Sequence, residues 1–288
     1  MKKFFATGFG QLLYLSRYRI ILTYVLSFAA SIFMMLYPLL VGNAVDGALA
    51  HETWPVILLA MVWGTHIVLN LFRQVYDTRT FARINAVAAT ELITKQRSAD
   101  LSTSTISARV GMLSELSSFF AYAVPGAIMY IISPFGALFM IFRFEVSTGL
   151  VASLYLVLTL GFNRIMYPVS KTLHQRLNNR SEQSVEVIGA AAGENVQPHY
   201  QGLAQDNIAI SDFDAKTWGL VEVATMGLFL FAVIRLGRMS ALSIGEAYAV
   251  IAYVQRFTDG VSQVPYIMQR IARLADIRKR IESEEAVL

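Results

Sequence analysis

The chain of 288 residues contains no cysteine. That absence excludes disulfides, thiolate metal sites, iron–sulfur clusters and a cysteine nucleophile, and it leaves the redox compartment unspecified. Charge is also scarce, at 15% Asp, Glu, Lys and Arg, against roughly 25% in soluble globular domains. With a mean hydropathy of +0.50, such a composition excludes a water-soluble fold. The four histidines, His51, His66, His174 and His199, show no metal-ligand spacing, so no metal or other cofactor is expected. No grouping of Ser, His and Asp suggests a hydrolase, and no G-x-x-x-x-G-K-S/T stretch occurs to cradle a triphosphate. The chain is therefore not expected to be an enzyme or an ATPase in its own right. Its basic start, MKKFF, is not followed by an apolar core closed by a small-residue cleavage site, so the first apolar run is read as a membrane span and not as a removable signal.

What is present is long apolar runs. Residues 20–45 hold 26 residues without a charge, enough to cross a hydrocarbon core about 30 Å thick. A second span is expected over residues 55–72, interrupted by His66 and Asn70. Residues 119–142 form a third, bent at Pro125 and Pro134 because each proline removes a backbone donor. Arg143, Phe144 and Glu145 make a very short turn into a fourth span over residues 146–162. Residues 217–234, with Glu222, and residues 243–268, with Glu246, Arg256 and Asp259, complete the count of six. Ionisable groups are tolerated in such spans where they face a cavity or a partner helix.

Lys and Arg collect in the N-terminal arm, after the second and fourth spans and at the C-terminus, while the loop holding Asp46, His51 and Glu52 has neither. That asymmetry predicts that both termini are cytoplasmic, with Arg235 and Arg238 as a mild exception. It also accounts for the formal net charge of +4 without a nucleic-acid partner, and none is expected. The stretches after the second and fourth spans keep apolar residues at helical spacing, with Glu91 and Lys95 four apart. They predict helices that continue into the cytoplasm, with tips in SADLSTSTISARVG and ENVQPHYQG, where Gly, Pro198, Ser and Asn break the pattern. The expected fold is an all-α integral membrane protein of six transmembrane helices with long cytoplasmic extensions, a single domain over residues 1–288.

This layout resembles the transmembrane domain of ABC exporters of the type with domain-swapped helices. The best local likeness is the last third, where Ser243, Ile244, Gly245, Glu246, Tyr253, Arg256, Phe257 and Pro265 resemble that family's final span. GAAAGENVQPHYQG similarly occupies the place of its second internal excursion. The resemblance implies a membrane transporter in a cell membrane, a bacterial inner membrane, working as a homodimer by alternating access. The dimer would also cover a polar stripe that a single copy leaves facing lipid. In that family a nucleotide-binding domain usually follows the sixth span, whereas this sequence stops at Leu288. Three readings follow: an ATPase-free carrier coupled to protons, like peptide-uptake permeases of exporter-like fold; a permease subunit that recruits a separate ATPase; or a membrane scaffold that transports nothing. A recruited ATPase would dock on the tips, Ala99 through Gly111 and Gly193 through Asp212, where Ile106, Tyr200 and Leu203 are available.

Arg256, Asp259 and Gln263 fall at i, i+3 and i+7 on one helical stripe. Burying such charges in lipid costs about 2.5–3.5 kcal/mol each, which makes the stripe a candidate for substrate or proton handling; an intrahelical Arg–Asp pair that merely permits insertion is the structural alternative. Glu222 is a second candidate proton carrier, unless it sits among lipid headgroups. His66 and Asn70, four apart, would contact a polar solute or hydrogen-bond a neighbouring helix. The abundant Phe, Tyr and Met residues would line a pocket or face lipid.

Overall fold

A computed structural model of the protein describes residues 8–98, 102–190 and 193–263. Among these the regular structure is helical: α1 (Gly8–Leu15), α2 (Arg17–Leu49), α3 (Trp54–Ser98), α4 (Thr103–Ser118), a π-helical turn (Phe119–Ala123), α5 (Val124–Phe144), α6 (Val146–Ala190), α7 (Gly193–Leu236) and α8 (Ile244–Ser262). Local chemistry sets the ends. His51 takes a positive φ of 60° just after α2, and Pro55 lies at the second position of α3, where a missing N–H costs nothing. Ser102 caps α4 by accepting from the Thr105 N–H at 3.2 Å. Ser243 and Glu246 form a reciprocal capping box at the start of α8.

Five stretches among the described residues are long and apolar enough to cross a membrane: Arg17–Leu49, Trp54–Ser98, Thr103–Phe144, Val146–Gly189 and Val196–Leu236. They contain the first five expected spans. The sixth falls on α8, whose 19 described residues carry a polar face and do not belong to that set. Residues 264–268 of the expected span, with Pro265, and the basic C-terminal cluster lie outside the described residues. α3 and α6 have 45 residues each, so each is about 68 Å long at 1.5 Å per residue, twice a hydrocarbon thickness. The helices thus run on beyond the expected spans without a break.

The expected tips are more helical than their composition implies. α4 already begins at Thr103, and α7 begins at Gly193 and runs through Pro198. Between α3 and α4 lie residues 99–102 and between α6 and α7 residues 191–192; of these, 99–101 and 191–192 are outside the described residues. Pro198 is tolerated because it lies in the second turn of α7, where it removes one backbone bond near a free end.

The chain forms two compact units, Met1–Phe144 with Ser240–Leu288, and Glu145–Met239. In the first, α8 packs against both α2 and α5. Val250, Tyr253, Val254, Phe257 and Val261 are fully buried at helical spacing, which leaves Gln255 and Asp259 exposed. α8 is thus amphipathic, with one face against α2 and α5 and a polar face left exposed, which is why hydropathy understates it. Gly42 of α2 and Gly245 meet backbone to backbone, and a Cβ on either would run into the other's carbonyl. Asp46 fixes the same point by accepting from the Ser243 hydroxyl at 2.5 Å and the Gly245 N–H at 2.8 Å. The Tyr253 hydroxyl donates to the Met35 carbonyl at 2.8 Å, next to the turn that Pro38 loosens. A second apolar cluster joins α1, α3 and α4 through Leu13, Phe81, Ile84, Leu113 and Leu116.

The second unit is the antiparallel pair α6 and α7. Near one end Ala152, Tyr155, Leu228 and Ala232 are buried, and Tyr155 bonds the Thr225 hydroxyl at 2.9 Å. Farther along, the partly buried positions of α6 are 166, 170, 173, 177, 180, 184 and 187, and those of α7 are 196, 199, 203, 206, 210, 213 and 217. This alternation of three and four is a coiled-coil seam. Arg180 and Asp206 pair across it at 3.1 Å, and Ser184 and His199 at 2.8 Å. Gly202 lies under the Arg180 side chain, which a Cβ there would displace.

Candidate functional site

The first unit contains a polar cavity of about 410 Å³. Three stretches build it. α2 contributes Ser27, Ala30, Ser31 and Met34; α3 contributes His66, Asn70, Arg73, Gln74, Asp77 and Thr78; the π-helical turn and the start of α5 contribute Ala121, Tyr122, Pro125, Gly126 and Met129.

On α3 the polar groups His66, Asn70, Arg73 and Asp77 are spaced four, three and four apart, which keeps them on one face for three turns. His66 is buried, at 7% exposure. The Asn70 amide N–H faces its Nε2 at 2.6 Å, so the neutral ring carries its proton on Nδ1, which meets the Tyr37 hydroxyl of α2. Phe33 stacks on the imidazole at 5.5 Å between centroids. The ring is thus held on three sides, with one edge toward the cavity.

Arg73 and Asp77 form an ion pair one turn apart, with Nη1 and Oδ2 separated by 3.4 Å. Asp77 is only 5% exposed. The pair is a single long contact and not a bidentate one, and Arg73 Nε is buried without a hydrogen-bond partner. Buried polar atoms are normally satisfied; the buried Thr23 hydroxyl of α2 stands beside the Asp77 carboxylate as a hydrogen-bond partner, so the capacity left unused beside the cavity is at Arg73 Nε.

The third wall owes its shape to the backbone. A π-helical turn shifts the ladder to i→i+5, and the Val124 N–H accordingly bonds the Phe119 carbonyl. In that register the Phe120 carbonyl addresses position 125, a proline with no N–H to give. Tyr24 of α2 supplies the missing donor through its hydroxyl at 3.3 Å. The widened turn brings Ala121 and Tyr122 to the cavity.

Of the residues singled out from sequence, His66 and Asn70 line this cavity. Arg256 is half-buried on α8, while Asp259 is exposed and accepts from the Gln255 amide at 2.7 Å. Gln263 ends α8 as its C-cap. None of the three belongs to the cavity lining. Glu222 is exposed on α7, in the other unit. At the tips Tyr200 is 47% exposed but Ile106 is only 6% exposed, and Leu203 lies in the α6–α7 seam. Arg73 and Asp77 escaped the sequence reading because Arg73 ends the apolar run and so counted as a loop charge. Their spacing with His66 and Asn70 was the available signal.

Residues 11–245 match the family described as the ABC transporter transmembrane region. The match takes in the cavity and the α6–α7 pair and stops at Gly245, so most of the α8 segment that carries the strongest local likeness lies beyond it. No curated protein matches the chain. With well over half of its length matched, the chain belongs to the ABC transporter transmembrane region family and is a membrane transport component.

Proposed function

We propose that this chain moves a small or amphipathic solute across a bacterial inner membrane by alternating access, as a homodimer of six-helix subunits with α8 as the sixth span. Both termini and the far ends of α3, α4, α6 and α7 are cytoplasmic on this reading, as the distribution of Lys and Arg suggests. The observation that carries it is the polar cavity among α2, α3 and α5, in a segment otherwise apolar enough for lipid. A buried carboxylate with a partly exposed guanidinium partner and a buried imidazole are expensive in a bilayer, and a solute path gives them a use. Arg256, Asp259 and Gln263 on α8 and Glu222 on α7 are further groups available for handling protons.

Coupling to protons is the energy source of this reading, with Asp259 of α8 and Glu222 of α7 as ionisable groups placed in or beside the spans. The rival is a separate ATPase docking on the tips, where the exposed Tyr200 favours it and the buried Ile106 does not. The test is purification from the native membrane in mild detergent, with mass spectrometry, a vanadate-sensitive ATPase assay, and flux measurements in proteoliposomes under a pH gradient. A dimer without ATPase activity whose flux follows the gradient is expected. A stoichiometric ATPase subunit would replace this reading with the split exporter, and intact dimers without flux under either energy source would leave a scaffold.

A further inference from the structure

We propose that the cavity binds a small zwitterion with an apolar body, a molecule carrying an ammonium and an anionic group a few ångströms apart. The inference deepens the reading of this cavity as the solute site and rests on it.

The argument starts from charge balance. Among the lining residues, Arg73 supplies one positive charge and Asp77 one negative charge, within 3.4 Å of each other. A simple cation drawn to Asp77 would be repelled by Arg73, and a simple anion drawn to Arg73 by Asp77. A zwitterion avoids both conflicts. Its ammonium meets the carboxylate and its anionic group meets the guanidinium, so one long contact is exchanged for two charge-assisted bonds and no net charge is buried.

Unused capacity falls on Arg73 Nε, while the Thr23 hydroxyl steadies the Asp77 carboxylate from α2. Asn70, Gln74 and Thr78 offer neutral hydrogen-bonding groups beside them, while Met34, Tyr122, Pro125 and Met129 form an apolar wall. A lining that combines a charged pair with thioether and aromatic surface fits an amphipathic ligand. The volume of about 410 Å³ accommodates an amino acid with a large side chain. The same chemistry exists in two sources, a free amino acid and the headgroup of phosphatidylethanolamine.

The test is equilibrium binding of radiolabelled phenylalanine to the full chain in nanodiscs made only of phosphatidylglycerol. Phenylalaninamide, which keeps the ammonium alone, and N-acetylphenylalanine, which keeps the carboxylate alone, serve as competitors. Each is expected to compete roughly tenfold or more weakly than phenylalanine, because each loses one charged bond. Met129→Trp, which fills the cavity from α5 and leaves both charged residues in place, is expected to abolish binding, and Asp77→Asn to weaken it. A parallel arm adds phosphatidylethanolamine to the discs. Undiminished phenylalanine binding assigns the site to a free zwitterion; displacement by the lipid, with Asp77-dependent retention of phosphatidylethanolamine on purification, assigns it to the headgroup. The proposal is overturned if the masked compounds compete as well as phenylalanine, or if neither source binds the wild-type chain. Flux of another solute without zwitterion binding would remove this inference alone, whereas zwitterion binding without flux would remove the transport reading alone.

Discussion

In the first unit α8 is enclosed by neighbours and its contact face is fully buried, whereas in the second α6 and α7 touch only along one seam. The difference is visible in what lies exposed. Leu150, Leu154, Val157, Trp218, Val223 and Met226 of the second unit are all more than half exposed, in helices whose apolar windows suit lipid. Two helices can bury only one stripe of each other, so this pair leans on its surroundings for the remainder. In the first unit α2 and α5 pack on each other and on α8 and so give the cavity two braced walls, whereas the apolar part of α3 is as open as the helices of the second unit. The second carries its polar groups as register marks along a seam.

Glycine substitutions should separate the two units most sharply. Gly42→Ala or Gly245→Ala places a methyl group against backbone that has nowhere to move, at a cost of about 3 kcal/mol or more. Gly219→Ala and Gly227→Ala in α7 meet nothing within 4 Å and should stabilise the helix by up to about 1 kcal/mol. Thermal melting followed by fluorescence-detected size exclusion would check both. Equal losses in the two pairs would mean that α7 is as tightly packed as α8.

The sequence already carried most of this contrast. Long charge-free runs located the apolar parts of α2, α3, α5 and α6, since a run of that length admits few other structures. The segment of α8 completed an even count of spans and resembled a final span, but its hydropathy was weak because one face of the helix is polar and exposed. The cavity was half legible. His66 and Asn70 stood out as polar residues in an apolar run, but Arg73 counted among the loop charges and Asp77 was passed over, although both continue the same stripe. The π-helical turn has no local signature apart from Pro125, whose effect depends on Tyr24 about a hundred residues earlier. Pro198 and the serines near α4 suggested breaks that pairing with a neighbouring helix overrides.

A middle-sized effect is expected at the end of the second unit, where Glu145 lies between α5 and α6. It is buried at 6% exposure, which on its own would raise its pKa. Bonds from Thr148 and the Arg235 guanidinium, the latter at 3.0 Å, outweigh burial and hold it at about 2, below an ordinary value of 4.5. A depressed carboxyl stabilises the folded state above its unfolded pKa, and that stability fades as the pH falls from 4.5 through about 2. Glu145→Gln should cost about 1–2 kcal/mol at neutral pH, with wild type and variant converging below that window. Chemical unfolding at several pH values would measure it. A constant gap across the range would mean that the side chain matters by shape and not by charge.

The smallest effect concerns the seam itself. Arg180 is 38% exposed and Asp206 18% exposed in their side chains, so water screens the pair and its coupling should be only about 0.5 kcal/mol in a double-mutant cycle with Arg180→Gln and Asp206→Asn. Its larger role is to select one register. A seam with Ser170, Arg180, Ser184, His199, Asp206 and Thr217 at contact positions has too few apolar knobs to fix alignment by packing alone. Arg180→Leu with Asp206→Leu should therefore leave melting unchanged or raised while loosening alignment. Amide hydrogen exchange along α6 and α7 would detect this as faster exchange near 177–187 and 199–210, with positions 146–159 unaffected. If exchange stays protected throughout, the apolar contacts at Leu173, Leu177 and Phe213 suffice for register, and the second unit is more like the first than its exposed surface implies.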